Sequence, residues 1–161
     1  MAMECKKECK RVPCKKQKVL ERKRPTTTTT TTTEPPKVCN QPPNWEPCID
    51  PQVADQQLID CCKWSGINRC AGICKYGVTM AEARQHVLSG KCGMSDLQPF
   101  LRCASKNEDN RACCQAKGLT QGQCQPFCYP ATNLGPLGLH HMVCANNLRK
   151  IMECHLAGLP E

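Results

Sequence analysis

Aromatic side chains are scarce in this sequence: two Trp, two Tyr and two Phe, 4% of 161 residues. Aromatics normally supply much of a domain's buried area, so a large apolar core is excluded. No stretch reaches the length and hydropathy of a transmembrane helix. The opening MAMECKKECKRVPCKK lacks the apolar h-region that a signal peptide requires. There is no CxxC, no GxSxG, no HExxH and no Gly-rich phosphate loop. These absences point away from the common zinc, hydrolase, metalloprotease and nucleotide-binding motifs.

Cysteine is what the chain has instead, 17 in all. That density marks a disulfide scaffold, the staple that a small core needs. Disulfides persist in oxidising compartments, so the expected location is secreted and extracellular. The missing leader is then read as a fragment or a mis-assigned start. The net charge of +8 suggests nucleic acid at first sight. Residues 1–36, however, hold 10 Lys+Arg against 4 Asp+Glu, and residues 37–161 hold 12 against 10. The basicity belongs to the tail, so no nucleic-acid partner is expected. Contact of the tail with a heparin-like polyanion is the alternative to a solvated arm.

The chain divides by composition. Residues 1–36 are a basic, cysteine-containing tail and Thr-rich linker, expected to be disordered. Within it Thr26, Thr27, Thr28, Thr29, Thr30, Thr31, Thr32 and Thr33 run unbroken between prolines. Such tracts form no packed core; they read as a spacer and as candidate O-glycosylation sites. Residues 37–49 are a Pro-rich lead-in in which Cys39 and Cys48 are candidates for a small ring of their own. Residues 50–156 form the folded module.

Within the module the cysteine spacing repeats. From Cys61 it runs CC, seven residues, C, three, C, seventeen, C, ten, C, through Cys62, Cys70, Cys74 and Cys92 to Cys103. From Cys113 it runs CC, nine, C, three, C, fifteen, C, nine, C, through Cys114, Cys124, Cys128 and Cys144 to Cys154. Cys61 to Ile67 and Cys113 to Leu119 agree as CCxxxG followed by an aliphatic residue. An internal duplication accounts for this, with one repeat over 50–105 and the second over 106–156.

Local signals make both repeats helical. Asp50 is placed to cap a helix that starts at Pro51 and buries Ala54, Leu58 and the Cys61/Cys62 pair. Gly66 and Gly118 stand where the CC helices stop. Asn110 marks the start of the second of these. Thr79 to Glu82 is a capping box, with Gly90 ending its segment. Ser95 to Gln98 repeats that pattern ahead of Phe100, Leu101 and Cys103, with Pro99 in the first turn. Leu148, Ile151 and Met152 form the last segment. No alternating run of β-branched residues marks a strand.

Neighbouring cysteines have Cα atoms about 3.8 Å apart, too close for ordinary disulfide geometry. Each CC pair must therefore reach two partners. The CxxxC pairs are expected on one helical face at i, i+4. The working hypothesis sends one sulfur of each CC pair to the CxxxC segment and the other to the last helix of its repeat, one of 15 possible pairings. The rival is a zinc site built from cysteines with His86, His140, His141 and His155. Of the five remaining cysteines, Cys5, Cys9, Cys14, Cys39 and Cys48, at least one is unpaired or bonds another chain. No nucleophile or carboxylate stands at motif spacing from His140 and His141.

The twelve-cysteine layout, carried by LIDCCKWSGINRCAGICKY and RACCQAKGLTQGQCQPFC, resembles the DB module of nematode secreted proteins. It spans roughly residues 55–156. The resemblance implies a secreted, extracellular location, often beside adhesion-type domains, with the twelve cysteines as disulfides; the family carries no established enzymatic role. The sequence therefore predicts a mainly α, small disulfide-rich fold of two tandem six-cysteine helical repeats. The expected function is a secreted interaction or structural module without catalysis or cofactor, whose partner is an extracellular protein or matrix component. A small effector or inhibitor acting through an exposed loop at 129–139 is the first alternative; the zinc protein is the second.

Overall fold

The computed structural model describes residues 38–132, 134–135 and 139–160. The expectations for Cys5, Cys9, Cys14, the basic tail and the threonine tract lie outside these residues. All regular structure among the described residues is helical.

Helix α1 spans Pro51–Trp64 and begins as the sequence dictates. The Asp50 carboxylate accepts from the backbone N–H of Gln52 at 2.8 Å and of Val53 at 3.3 Å, and Pro51 takes the first helical position. Ala54, Leu58 and Cys62 recur every four residues and form its buried stripe. The chain leaves the helix through Gly66 at φ +77°, a left-handed conformation that costs glycine nothing. Gly118, at φ +83°, ends α4 (Arg111–Ala116) in the same way.

Helix α2, Met80–Leu88, opens with a capping box. Thr79 Oγ1 accepts from the Glu82 N–H at 3.2 Å, and the Glu82 carboxylate accepts from the Thr79 N–H at 2.8 Å. The Lys75 ammonium, 2.6 Å from Glu82, is the main reason that this carboxyl is held down at about 2, with the Thr79 bonds adding to it.

Two local expectations need correction. Helix α3, Leu97–Ser105, is not capped by Ser95. A 3₁₀ turn, Met94–Asp96, runs straight into it, and the Asp96 carboxylate reaches back to accept from the Gly93 N–H at 2.7 Å. Only the reach-back half of a capping box forms, from a start two residues before Ser95, because Gly93 has no side chain to complete it. The CxxxC pairs also do not share an α-helical face. Cys70 lies in a 3₁₀ helix, Asn68–Ile73, and Cys74 caps its end. At three residues per turn, positions i and i+4 diverge by roughly 120°. In the second half Cys124 ends a 3₁₀ turn, Gly122–Cys124, and Cys128 ends the four-residue α5, Gln125–Cys128.

A further 3₁₀ turn, Leu139–His141, leads into α6, Met142–Ala145, and α7 spans Leu148–Ala157. Helix α3 packs against both α1 and α7, and α7 also packs on α4 and α5. The last long helices of the two halves thus meet at the centre. Leu58, Leu101, Ile151, Met152 and Leu159 are almost completely buried in one cluster that crosses the junction. At the surface, Glu153 of α7 bonds the Lys117 ammonium at 2.7 Å and Arg149 at 2.9 Å, fastening α7 to the end of α4.

Candidate functional site

The disulfides define the frame on which any site is built. All fourteen cysteines among the described residues are bonded in pairs. Cys61 joins Cys103, Cys62 joins Cys74 and Cys70 joins Cys92. In the second half Cys113 joins Cys154, Cys114 joins Cys128 and Cys124 joins Cys144. Numbered along each half, the order is first to sixth, second to fourth, third to fifth in both. Each CC helix is therefore tied by one sulfur to the CxxxC segment and by the other to the half's last long helix, α3 or α7. No bridge crosses between the halves. Cys39 and Cys48 close a separate nine-residue-separation ring, in which the Asn40 N–H donates to the Glu46 carbonyl at 2.8 Å.

Between the halves lies a cavity of about 360 Å³. Its walls come from the first half through Ile73, Val78, Leu97 and Phe100, and from the second through Leu148 and Ile151. Cys70, Cys92 and Cys144 also line it, so the third-to-fifth bridge of each half braces the wall. Arg84, Asp96 and His141 are the ionisable side chains in the lining. The volume lies within the roughly 300–1,000 Å³ of small-molecule sites. No local pattern in the sequence marks this cavity. It is made by residues that are far apart in sequence, and each of them reads locally as ordinary core.

The second element that sequence reading missed is a buried polar link. Asn110 was expected to cap α4. It does precede that helix, but its side chain makes no cap. Asp109 accepts from the Arg111 N–H instead, at 3.1 Å. The Asn110 amide turns inward and meets Nδ1 of His155 at 3.0 Å, while Nε2 of His155 lies 3.0 Å from the Phe127 carbonyl. The pairing assigns the tautomer: Nε2–H donates to the carbonyl, and Nδ1 accepts from the Asn110 NH₂. Burial pushes the imidazole down to about 4, against a smaller opposing effect of the Phe127 bond. His155 is thus a neutral core residue. Its place four residues after Ile151 on the apolar stripe of α7 was the available signal.

The remaining candidates fall elsewhere. The His140 and His141 rings lie with centroids 3.8 Å apart, tilted by 43°, and the His141 ring meets Phe127 at 5.6 Å, tilted by 51°. His86 stands on α2, its ring against Gly72. The four histidines are not brought together with free sulfurs, and no three metal-ligating side chains converge among the described residues. The stretch 129–139, expected to be an exposed loop, is partly anchored. Pro130 and Leu134 are buried, the Pro130 carbonyl accepts from Arg102 Nε at 3.2 Å, and Arg111 stacks over Tyr129 at 5.1 Å. No helix among the described residues is long and apolar enough to cross a membrane.

Comparison with known proteins gives one match. The family model of the DB module covers residues 61–155, a span that contains the twelve bridged cysteines of both halves. No curated protein and no solved structure matches. With more than half of the chain covered, and with all six bridges of the frame inside the matched span, this protein belongs to the DB module family.

Proposed function

We propose that this chain is a secreted, extracellular interaction module without catalytic activity, whose two six-cysteine halves arose by internal duplication. The observation that carries the reading is the complete pairing of the fourteen described cysteines in a fold with so small a core. Such a frame holds together in an oxidising compartment and loses its main constraint in a reducing one. The identical bridge order in the two halves supports the duplication. His155 serves a buried hydrogen-bond link between Asn110 and the Phe127 carbonyl, a structural use of the side chain in keeping with a binding module. In this reading the partner is an extracellular protein or matrix component.

The test is a redox titration of the full chain, followed by circular dichroism and thiol counting. On full reduction by a strong dithiol reductant the helical signal should collapse as thiols appear. A chain that keeps its helices with its thiols free has no need of an extracellular setting, and the reading fails.

A further inference from the structure

We propose that the cavity between the halves binds a single-chain amphiphile with an apolar tail and an anionic head, of the fatty-acid class. The inference deepens the reading above by naming a ligand class for an extracellular binding module.

The tail follows from the lining. At about 360 Å³ the cavity is far larger than a packing defect; an apolar cavity of about 150 Å³ already stays dry and accepts benzene. Water needs two to four polar partners to settle, and this wall is carbon and disulfide sulfur apart from Arg84, Asp96 and His141. An extended hydrocarbon satisfies such a wall, whereas a sugar or nucleotide leaves its own polar groups unmatched.

The head follows from charge. The Asp96 carboxylate is engaged by the Gly93 N–H at 2.7 Å. Arg84 makes no ion pair among the described residues. It also lines a second, more open hollow on the outer face of α2, together with Met80, Gln85 and Leu88. Arg84, itself exposed, therefore stands at the surface edge of this partly open apolar space, the position at which a carboxylate head would emerge while its tail lies within.

The route in follows from α2. This helix buries none of its residues. Its Val87 and Leu88 are 49% and 80% exposed, and Met94, on the adjoining turn, is 53% exposed. They form an apolar lip beside the cavity wall. A helix held by so little packing is the part of the wall that opens at least cost.

The experiment uses the oxidised full chain and two fluorescent probes, cis-parinaric acid and its methyl ester. The acid should bind saturably, one per chain, and oleate should displace it. Arg84→Gln should weaken the acid about tenfold, the scale of a lost charge-assisted hydrogen bond, and leave the ester within about twofold. Ala83→Leu, which adds bulk inside the cavity without removing core, should weaken both. Helical circular dichroism and intact mass show whether each variant keeps its fold and bridges. Several probes per chain, equal loss of acid and ester in Arg84→Gln, or binding only to anionic vesicles would overturn the proposal. Absence of binding with fold and bridges intact removes the ligand site alone, whereas helices that survive with free thiols remove the underlying reading.

Discussion

The Asn110 amide and the His155 imidazole meet at 3.0 Å inside the second half, and through them the entry to α4 is joined to the end of α7. The same ring donates to the Phe127 carbonyl, so three segments close on one neutral histidine. The pair lies at the end of the chain segment that the Cys113–Cys154 bridge also ties down.

This makes stability depend on acidity in a defined window. The imidazole's ordinary value of 6.5 falls to about 4 in the fold, mainly through burial. Between those values the unfolded chain binds the proton and the folded chain does not, so the fold loses stability as pH falls from about 6.5 to about 4. The full loss, complete only below about pH 4, is about 3–4 kcal/mol at about 1.4 kcal/mol per unit, and most of it falls between pH 7 and pH 4.5. Guanidinium unfolding of the oxidised chain at pH 7 and pH 4.5 measures it. In His155→Gln the difference should shrink to the residual contribution of the carboxylates.

Gly158 has a packing reason that its backbone angles do not reveal. A Cβ at this position would fall inside contact distance of the Asn110 carboxamide. Gly158→Ala must push that side chain off His155 and leave a buried ring nitrogen unpaired, at a cost of about 1–3 kcal/mol. Thermal unfolding should show this drop for Gly158→Ala. The same substitution at Gly122, where a Cβ meets nothing within 4 Å, should be nearly neutral.

Tyr76 offers a third test. Its hydroxyl donates to the Ala104 carbonyl at 2.7 Å, and its N–H donates to the Asp55 carboxylate at 2.7 Å. Burial, with Asp55 adding to it, pushes the phenol above its usual value. Tyr76→Phe strips the last turn of α3 of one bond and should cost about 1 kcal/mol, while ultraviolet titration should find the native phenol un-ionised until the fold gives way.

The bridges should rank by the loop each one closes. Cys61–Cys103 spans 42 residues and Cys62–Cys74 spans 12. Chain entropy gives about 4 kcal/mol for the first and about 3 for the second. Replacing both cysteines of a pair by alanine should therefore lower the unfolding midpoint more for 61/103 than for 62/74. The reverse order would mean that native packing around the bridge, not loop closure, sets its contribution.

Much of the frame was legible because its signals are local. Asp50, Thr79, Gly66 and Gly118 each fix one helix end through a hydrogen bond or a backbone angle that the residue type itself dictates. The division of each CC pair between two segments was legible because adjacent Cα atoms stand too close to bond. What escaped depends on three dimensions. Asn110 has the composition of a cap, and only the arrival of α7 turns it inward. The CxxxC spacing fits an α-helix, yet Cys70 and Cys74 must reach Cys92 and Cys62 in different directions, and a 3₁₀ turn serves this better. The cavity is assembled from Phe100, Ile151 and their neighbours across the junction, and no window of sequence contains both.

The most direct measurement is bridge mapping of the non-reduced chain, with partial reduction and alkylation to separate Cys61 from Cys62 and Cys113 from Cys114. The expected bridges are 61–103, 62–74 and 70–92, then 113–154, 114–128 and 124–144, the same order twice with nothing crossing between halves. A bridge between the halves, or a CC pair sent to a single segment, would contradict it.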